Sequence, residues 1–138
     1  MTALMLATAG SAQAQGVDVI ETRQAGQDLL SSTFAGIRAV VAAKGDLKTV
    51  ENPAKAMARW IKQYPTLFPK GSEQGHGTAA LPAIWSDMAG FQKASDAMAD
   101  ASLKLADFAK AGDADGVAAQ VKAVADTCGA CHRAYKSR

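Results

Sequence analysis

The chain has 138 residues, of which 49% are apolar, 20% charged and 6% aromatic, with a formal charge of +2. That composition suits a single domain with an ordinary helical core. Its Lys and Arg residues are scattered instead of forming runs, which leaves nucleic acid no electrostatic footprint, and no stretch is long and apolar enough to span a bilayer.

The first fifteen residues, Met1 to Gln15, are uncharged and end in small side chains, with Ala12 and Ala14 in A-x-A spacing. They predict a secretory signal over 1–14, cut after Ala14, which would deliver one domain, 15–138, to the oxidising periplasm. The basic residue that opens such a signal is absent, which fits a true start upstream of Met1. A frayed helical arm is the competing reading.

Four amphipathic helices follow. Ile20, Arg23, Gln27, Leu30, Phe34, Ile37 and Val41 recur in steps of three and four, the seam of a first helix at about 17–44, and Lys44-Gly45-Asp46 ends it. A second helix is expected after Glu51-Asn52, with Pro53 at its first position, running through Met57, Trp60, Ile61 and Tyr64 until Pro65 and Pro69 stop it. The stretch from Pro65 to about Ala80 reads as an irregular connection.

A third helix opens near Pro82 and repeats Ile84, Met88, Phe91, Ser95, Met98, Ser102, Leu105 and Ala109, closing at Gly112. The fourth follows Asp113 and carries Val117, Val121, Val124, Cys128, Cys131 and Tyr135 on one face. No segment shows strand alternation. The fold class is therefore all-α, an antiparallel up-down-up-down four-helix bundle. Abundant Ala would leave its core modest, so something bulky and apolar is needed to fill it.

Cys128-Gly-Ala-Cys131-His132 is the C-x-x-C-H haem attachment signature. Both thiols can add across the vinyl groups of one haem, and the imidazole beside them can hold the iron. A thioredoxin-like pair would sit at a helix N-terminus in a βαβ unit, whereas this motif lies near the end of the last helix. A short structural disulfide is the other alternative. Covalent haem c also supplies the missing bulk.

In an up-down-up-down bundle the end of helix four lies beside the start of helix one. At ~1.5 Å per residue, Gln27 lies about 14 Å into helix one and the cysteines about 8–12 Å from the end of helix four. Arg23 and Gln27 are the only polar residues on the first seam. An inward polar group needs a partner, so Arg23 is expected at a haem propionate and Gln27 at the distal face. A rotated seam would instead leave both in solvent.

The chain also resembles the cytochrome c prime family, the class II c-type cytochromes, with its low-spin Met-ligated relatives. The resemblance rests on Arg23-Gln24, Phe68-Pro-Lys-Gly71-Ser72-Glu73, Pro82-Ala-Ile84-Trp85, Ala111-Gly112-Asp113 and the terminal Cys-x-x-Cys-His, in this order. It implies haem contacts from Arg23, Gln24, Ser72 and Glu73, and a distal role for the residue four positions after Arg23, which is Gln27. Gas-binding members usually have Leu or Phe there and electron carriers Met; Gln27 is neither. Lys136 stands where the family often has Arg, keeping the charge without the planar fork.

The expected function is a periplasmic, high-spin, five-coordinate or water-ligated cytochrome that binds diatomic gases such as nitric oxide or carbon monoxide. A low-spin electron-transfer cytochrome is the alternative. No enzymatic activity is expected, since a distal His and Arg arrangement for O–O cleavage is missing. Expected partners are the gas, redox proteins and, as the resemblance implies, a second copy through helices one and two, where Ala35, Ala39 and Ala42 would allow close packing. His76, Met88 and Met98 are outside candidates for a sixth ligand.

Overall fold

Asp18 starts the first helix by accepting backbone N–H bonds from Ile20 (2.8 Å) and Glu21 (3.1 Å) at Oδ1, which satisfies donors that a helix start leaves unpaired. The computed structural model describes residues 18–138. The expected signal over 1–14 and its cleavage point lie outside them. Helix α1 spans Val19–Ala42, α2 Lys48–Gln63, α4 Met88–Ala111 and α5 Ala114–Tyr135, with a single helical turn α3 at Ala83–Ser86.

The seam of α1 faces inward as its spacing requires: Ile20, Arg23, Leu30 and Ile37 are buried, and Gln27, Phe34 and Val41 half-buried. The expectation for α2 needs a correction. It begins at Lys48, so Pro53 lies inside the helix instead of opening it. Asp46 provides the earlier start, accepting from Lys48 N at Oδ1 and from Thr49 N at its carbonyl. Thr49, whose carbonyl Pro53 cannot serve, is exposed, so water can take the missing donor's place.

The third helix is likewise two pieces. The chain breaks at Asp87 (φ −134°, ψ 54°), and the Asp87 carboxylate caps α4 through Gly90 N. The break turns Met88 outward, while Phe91, Ser95, Met98, Ser102, Leu105 and Ala109 are buried as expected. Gly112 closes α4 at φ 70°, a left-handed turn that glycine adopts without strain, and Asp113 caps α5.

The four long helices form an up-down-up-down bundle. α2 packs on α1 and α4, and α4 on α5. Ser95 Oγ donates to the Ile61 carbonyl, tying α4 to α2, and Gln120 Nε2 donates to the Ala101 carbonyl (2.9 Å), tying α5 to α4. The core runs through Ile37, Val50, Met57, Ala99, Leu105, Val117 and Val124. α1 and α5 touch only lightly, and the bundle opens between them.

A second cluster closes that end. Phe68 stacks edge-on against Phe91 (4.9 Å between centroids), Tyr64 (5.1 Å) and Trp85 (5.7 Å), and Phe91 against Tyr135 (5.2 Å). The connection after α2 begins with a 3-10 turn at Tyr64–Leu67. Its far end is pinned to the end of α5 by Leu81 N to Tyr135 O (3.0 Å) and Ser137 N to Ala79 O (2.9 Å). Among the described residues no helix is long and apolar enough to cross a membrane.

Candidate functional site

The opening between α1 and α5 is a cavity of about 610 Å³, within the range of small-molecule and cofactor sites. α1 lines it with Arg23, Gln24, Gln27, Leu30 and Phe34, and α5 with Cys128, Cys131 and His132. Tyr64, Phe68, Ile84, Phe91 and Met98 supply much of the remaining apolar wall. Six of the expected site residues thus line one space.

The helical register explains the α5 wall. Cys128 and Cys131 are one turn apart and both half-buried, while His132 is exposed at the rim. Burial pushes both thiols above their ordinary range, so they remain protonated at neutral pH. Partial desolvation at the cavity rim, with the Lys136 cation nearby, pushes His132 down, which favours the neutral imidazole. A neutral ring nitrogen is the form that can hold a metal. Met98 stands beside the motif, its sulfur 4.0 Å from Cys128 Sγ.

Arg23 is 2% exposed. Nη1 donates to the Leu67 carbonyl (3.2 Å) and Ser72 Oγ (3.0 Å), Nη2 to the Ser72 carbonyl (2.8 Å) and Thr78 Oγ1 (3.0 Å). Its guanidinium lies 4.3 Å above the Phe68 ring, a favourable cation–π distance. Among the described residues no carboxylate pairs with it, and burial lowers its pKa. A buried cation with only neutral partners, on the wall of a cavity, suits an anionic group of a bound cofactor.

Ser72 and Glu73 do not reach the cavity. Ser72 is buried behind Arg23 and acts on the site through it; Glu73 is half-buried and favours the Arg23 charge. Gln24 lines the cavity and donates to the His76 carbonyl at 3.1 Å. His76 itself is held outside, with Nε2 2.9 Å from Asp18 Oδ2 and Nδ1 3.4 Å from Glu21 Oε1. Met88 also lies off the cavity wall, whereas Met98 is part of it.

One relationship escaped the sequence reading. Tyr135 Oη donates to Asp87 Oδ2 (2.9 Å), so the α4 cap also anchors the end of α5. An Asp three residues before Gly90 is a recognisable cap, but its second partner is not local.

Residues 18–136 match the family model described as Cytochrome C'. The chain belongs to the cytochrome c prime family. It is 35% identical over 123 residues to cytochrome c prime of Rubrivivax gelatinosus, an alignment covering 88% of this chain and 95% of that one. It is 37% identical over 92 residues to cytochrome c-556 of Agrobacterium tumefaciens, covering 66% of this chain and 72% of that one. Among solved structures it is similar to a nitric oxide complex of a cytochrome c prime variant from Alcaligenes xylosoxidans, with TM-score 0.77 and 30% identity, covering 87% of this chain and 94% of that one.

Cytochromes c prime bind haem c covalently, and this chain is a haem c protein whose only two cysteines are Cys128 and Cys131. The cavity fits the group on three counts: an apolar wall of sufficient volume, protonated thiols one turn apart with a neutral imidazole beside them, and a buried cation without an anion.

Proposed function

We propose that this cytochrome binds small diatomic gases, nitric oxide foremost, on the α1 side of its haem. The observation that carries the reading is Gln27, a carboxamide on the α1 wall where a strong sixth ligand would have to stand. Carboxamides bind haem iron poorly, while Gln27 retains N–H groups that can donate to a bound molecule. The haem, once attached, supplies an iron that accepts a gas molecule.

In this reading Cys128 and Cys131 hold the cofactor, His132 is the iron ligand, and Arg23 and Gln24 receive its propionates, with Ser72 and Glu73 acting through Arg23. Leu30, Phe34 and Phe91 give the cavity an apolar wall. Lys136 favours the neutral form of His132. The reading is of a binding protein and not an enzyme: the chain's only other histidine, His76, is engaged by Asp18 and Glu21 away from the cavity.

The likeness to a cytochrome c-556 favours electron transfer as a second reading. Absorption spectra of the ferric and ferrous protein, with and without nitric oxide, decide between them. Gas binding predicts a broad ferrous spectrum that changes on adding nitric oxide. A sharp low-spin ferrous α band without added ligand would sink it.

Export to the periplasm with cleavage after Ala14, one domain over 15–138, redox partner proteins, and a homodimer through α1 and α2 belong to the same proposal. Leu29, 70% exposed on α1, and the depression between Gly26, Thr33, Met57 and Trp60 support the dimer. The mass of the mature N-terminus and sedimentation of the holoprotein test these points.

A further inference from the structure

The side-chain hydrogen bonds of the last α5 turn and its tail come from Tyr135, Lys136 and Ser137 and, among the described residues, none comes from the His132 imidazole. A ligand imidazole usually takes its orientation from a hydrogen bond on its second ring nitrogen. Here the helix that carries it has to supply that orientation, and its last turn is held at three points.

Two of them are backbone bonds to the segment that ends the connection, from Leu81 N to the Tyr135 carbonyl (3.0 Å) and from Ser137 N to the Ala79 carbonyl (2.9 Å). They form one short antiparallel bridge at Ala80 and Lys136, which alone would leave an axis about which the turn could pivot. The third point lies on a different element. Tyr135 Oη donates to Asp87 Oδ2 at 2.9 Å, while Asp87 Oδ1 accepts from Gly90 N at 3.1 Å. The phenol ring meets Phe91 edge-on and is buried.

Gly90 makes room for that bond. A Cβ there would lie 2.5 Å from the phenol oxygen and 2.7 Å from Asp87 Cγ, so a side chain would push the phenol and the carboxylate apart. Residues three apart are neighbours on a helix surface, so Tyr135 stands one turn from His132, and both line the cavity.

We propose that Tyr135 is a positioning residue for His132: its bond to Asp87 ties the last turn of α5 to the start of α4 and sets the orientation in which the imidazole meets the iron. The proposal rests on the reading of His132 as the iron ligand.

The test uses the ferric holoprotein and the variants Tyr135→Phe, Asp87→Ser and the two combined. Phenylalanine keeps the ring against Phe91 and removes only the hydroxyl. Serine can still cap α4 but lacks the second oxygen that receives the phenol. Three readouts are taken: the hyperfine-shifted proton resonances of the His132 side chain, which respond to ring orientation in either spin state, the reduction potential, and hydrogen exchange along α4 and α5. Tyr135→Phe should move the His132 resonances and the potential, and quicken exchange at Arg133, Ala134 and Tyr135 about 3- to 10-fold, as losing one hydrogen bond to a carboxylate would, with the middle of α4 unchanged. Asp87→Ser should do the same, and combining the two should add little to either.

His132 resonances and a potential that stay at their native values in both single variants would overturn the proposal, whatever the exchange rates do, because the bond would then hold the fold without orienting the ligand. So would effects that add in full in the double variant, since Tyr135 and Asp87 would then act separately. Native His132 resonances without a hyperfine shift would instead overturn the ligand reading itself, and the proposal with it.

Discussion

Arg23 holds Ser72 twice, donating from Nη1 to its hydroxyl at 3.0 Å and from Nη2 to its carbonyl at 2.8 Å. One buried guanidinium thereby fastens the connection after α2 to the first turns of α1, using a planar fork that reaches the Leu67 carbonyl and Thr78 hydroxyl as well. Lysine has the charge without the fork. Arg23→Lys should destabilise the protein by about 2–4 kcal/mol, because hydrogen bonds to a buried charge are each worth more than neutral ones. Urea unfolding measures the loss, and hydrogen exchange at the Ser72 amide should quicken more than exchange in α4. Equal quickening everywhere would show that Arg23 does not anchor this connection specifically.

Gly26 is where the Trp60 indole rests. A Cβ at that position would lie 1.8 Å from Trp60 Cζ2 and 2.4 Å from Cη2, well inside contact distance. Alanine would add about 1 kcal/mol of helix propensity, but overpacking typically costs about 1–3 kcal/mol. Gly26→Ala should therefore lower the thermal midpoint, and Trp60 fluorescence should change as the ring is displaced. A rise in the midpoint would mean the ring moves aside without cost.

The pH response at the start of α1 has a defined sign. Backbone N–H bonds from Glu21 and Ile20 hold the Asp18 carboxyl below its ordinary value of 3.8, aided by the neighbouring His76. A group with a depressed folded pKa stabilises the fold above its unfolded pKa, and that contribution fades as pH falls through the folded value. Asparagine caps nearly as well without a charge. The stability difference between the native protein and Asp18→Asn should be present at pH 6 and shrink steadily below about pH 4, as urea midpoints across that range would record. A difference that stays flat to pH 2.5 would contradict the assignment.

The helical seams were legible because burial follows a short local period: Leu30, Ile37, Leu105 and Val117 sit where steps of three and four put them. The boundaries were not, because competing local interactions decide them. Asp46 starts α2 ahead of Pro53, and Asp87 breaks the third helix to cap α4. In the site, Cys128, Cys131 and His132 came from one contiguous motif, and Gln27 and Arg23 from being polar on an apolar seam. Gln24, Ser72 and Glu73 came only from resemblance; Gln24 lines the cavity, while Ser72 is buried behind Arg23. The Tyr135–Asp87 pair joins distant parts of the chain, which no local pattern encodes.

Gln27→Met tests the distal position by supplying what it lacks. Methionine is unbranched and close to glutamine in length, so α1 should tolerate the exchange with little loss of stability. A thioether paired with a histidine is the ligand set of electron-transferring cytochromes c. The native thioether on the cavity wall, Met98 of α4, lies against Cys128 of α5. If Gln27 faces the open side of the haem, Gln27→Met should yield a sharp low-spin ferrous α band and slow nitric oxide uptake, since the thioether must first be displaced. A spectrum and uptake rate matching the native protein would show that residue 27 does not face the iron, and the gas-binding geometry would have to be built on another wall of the cavity.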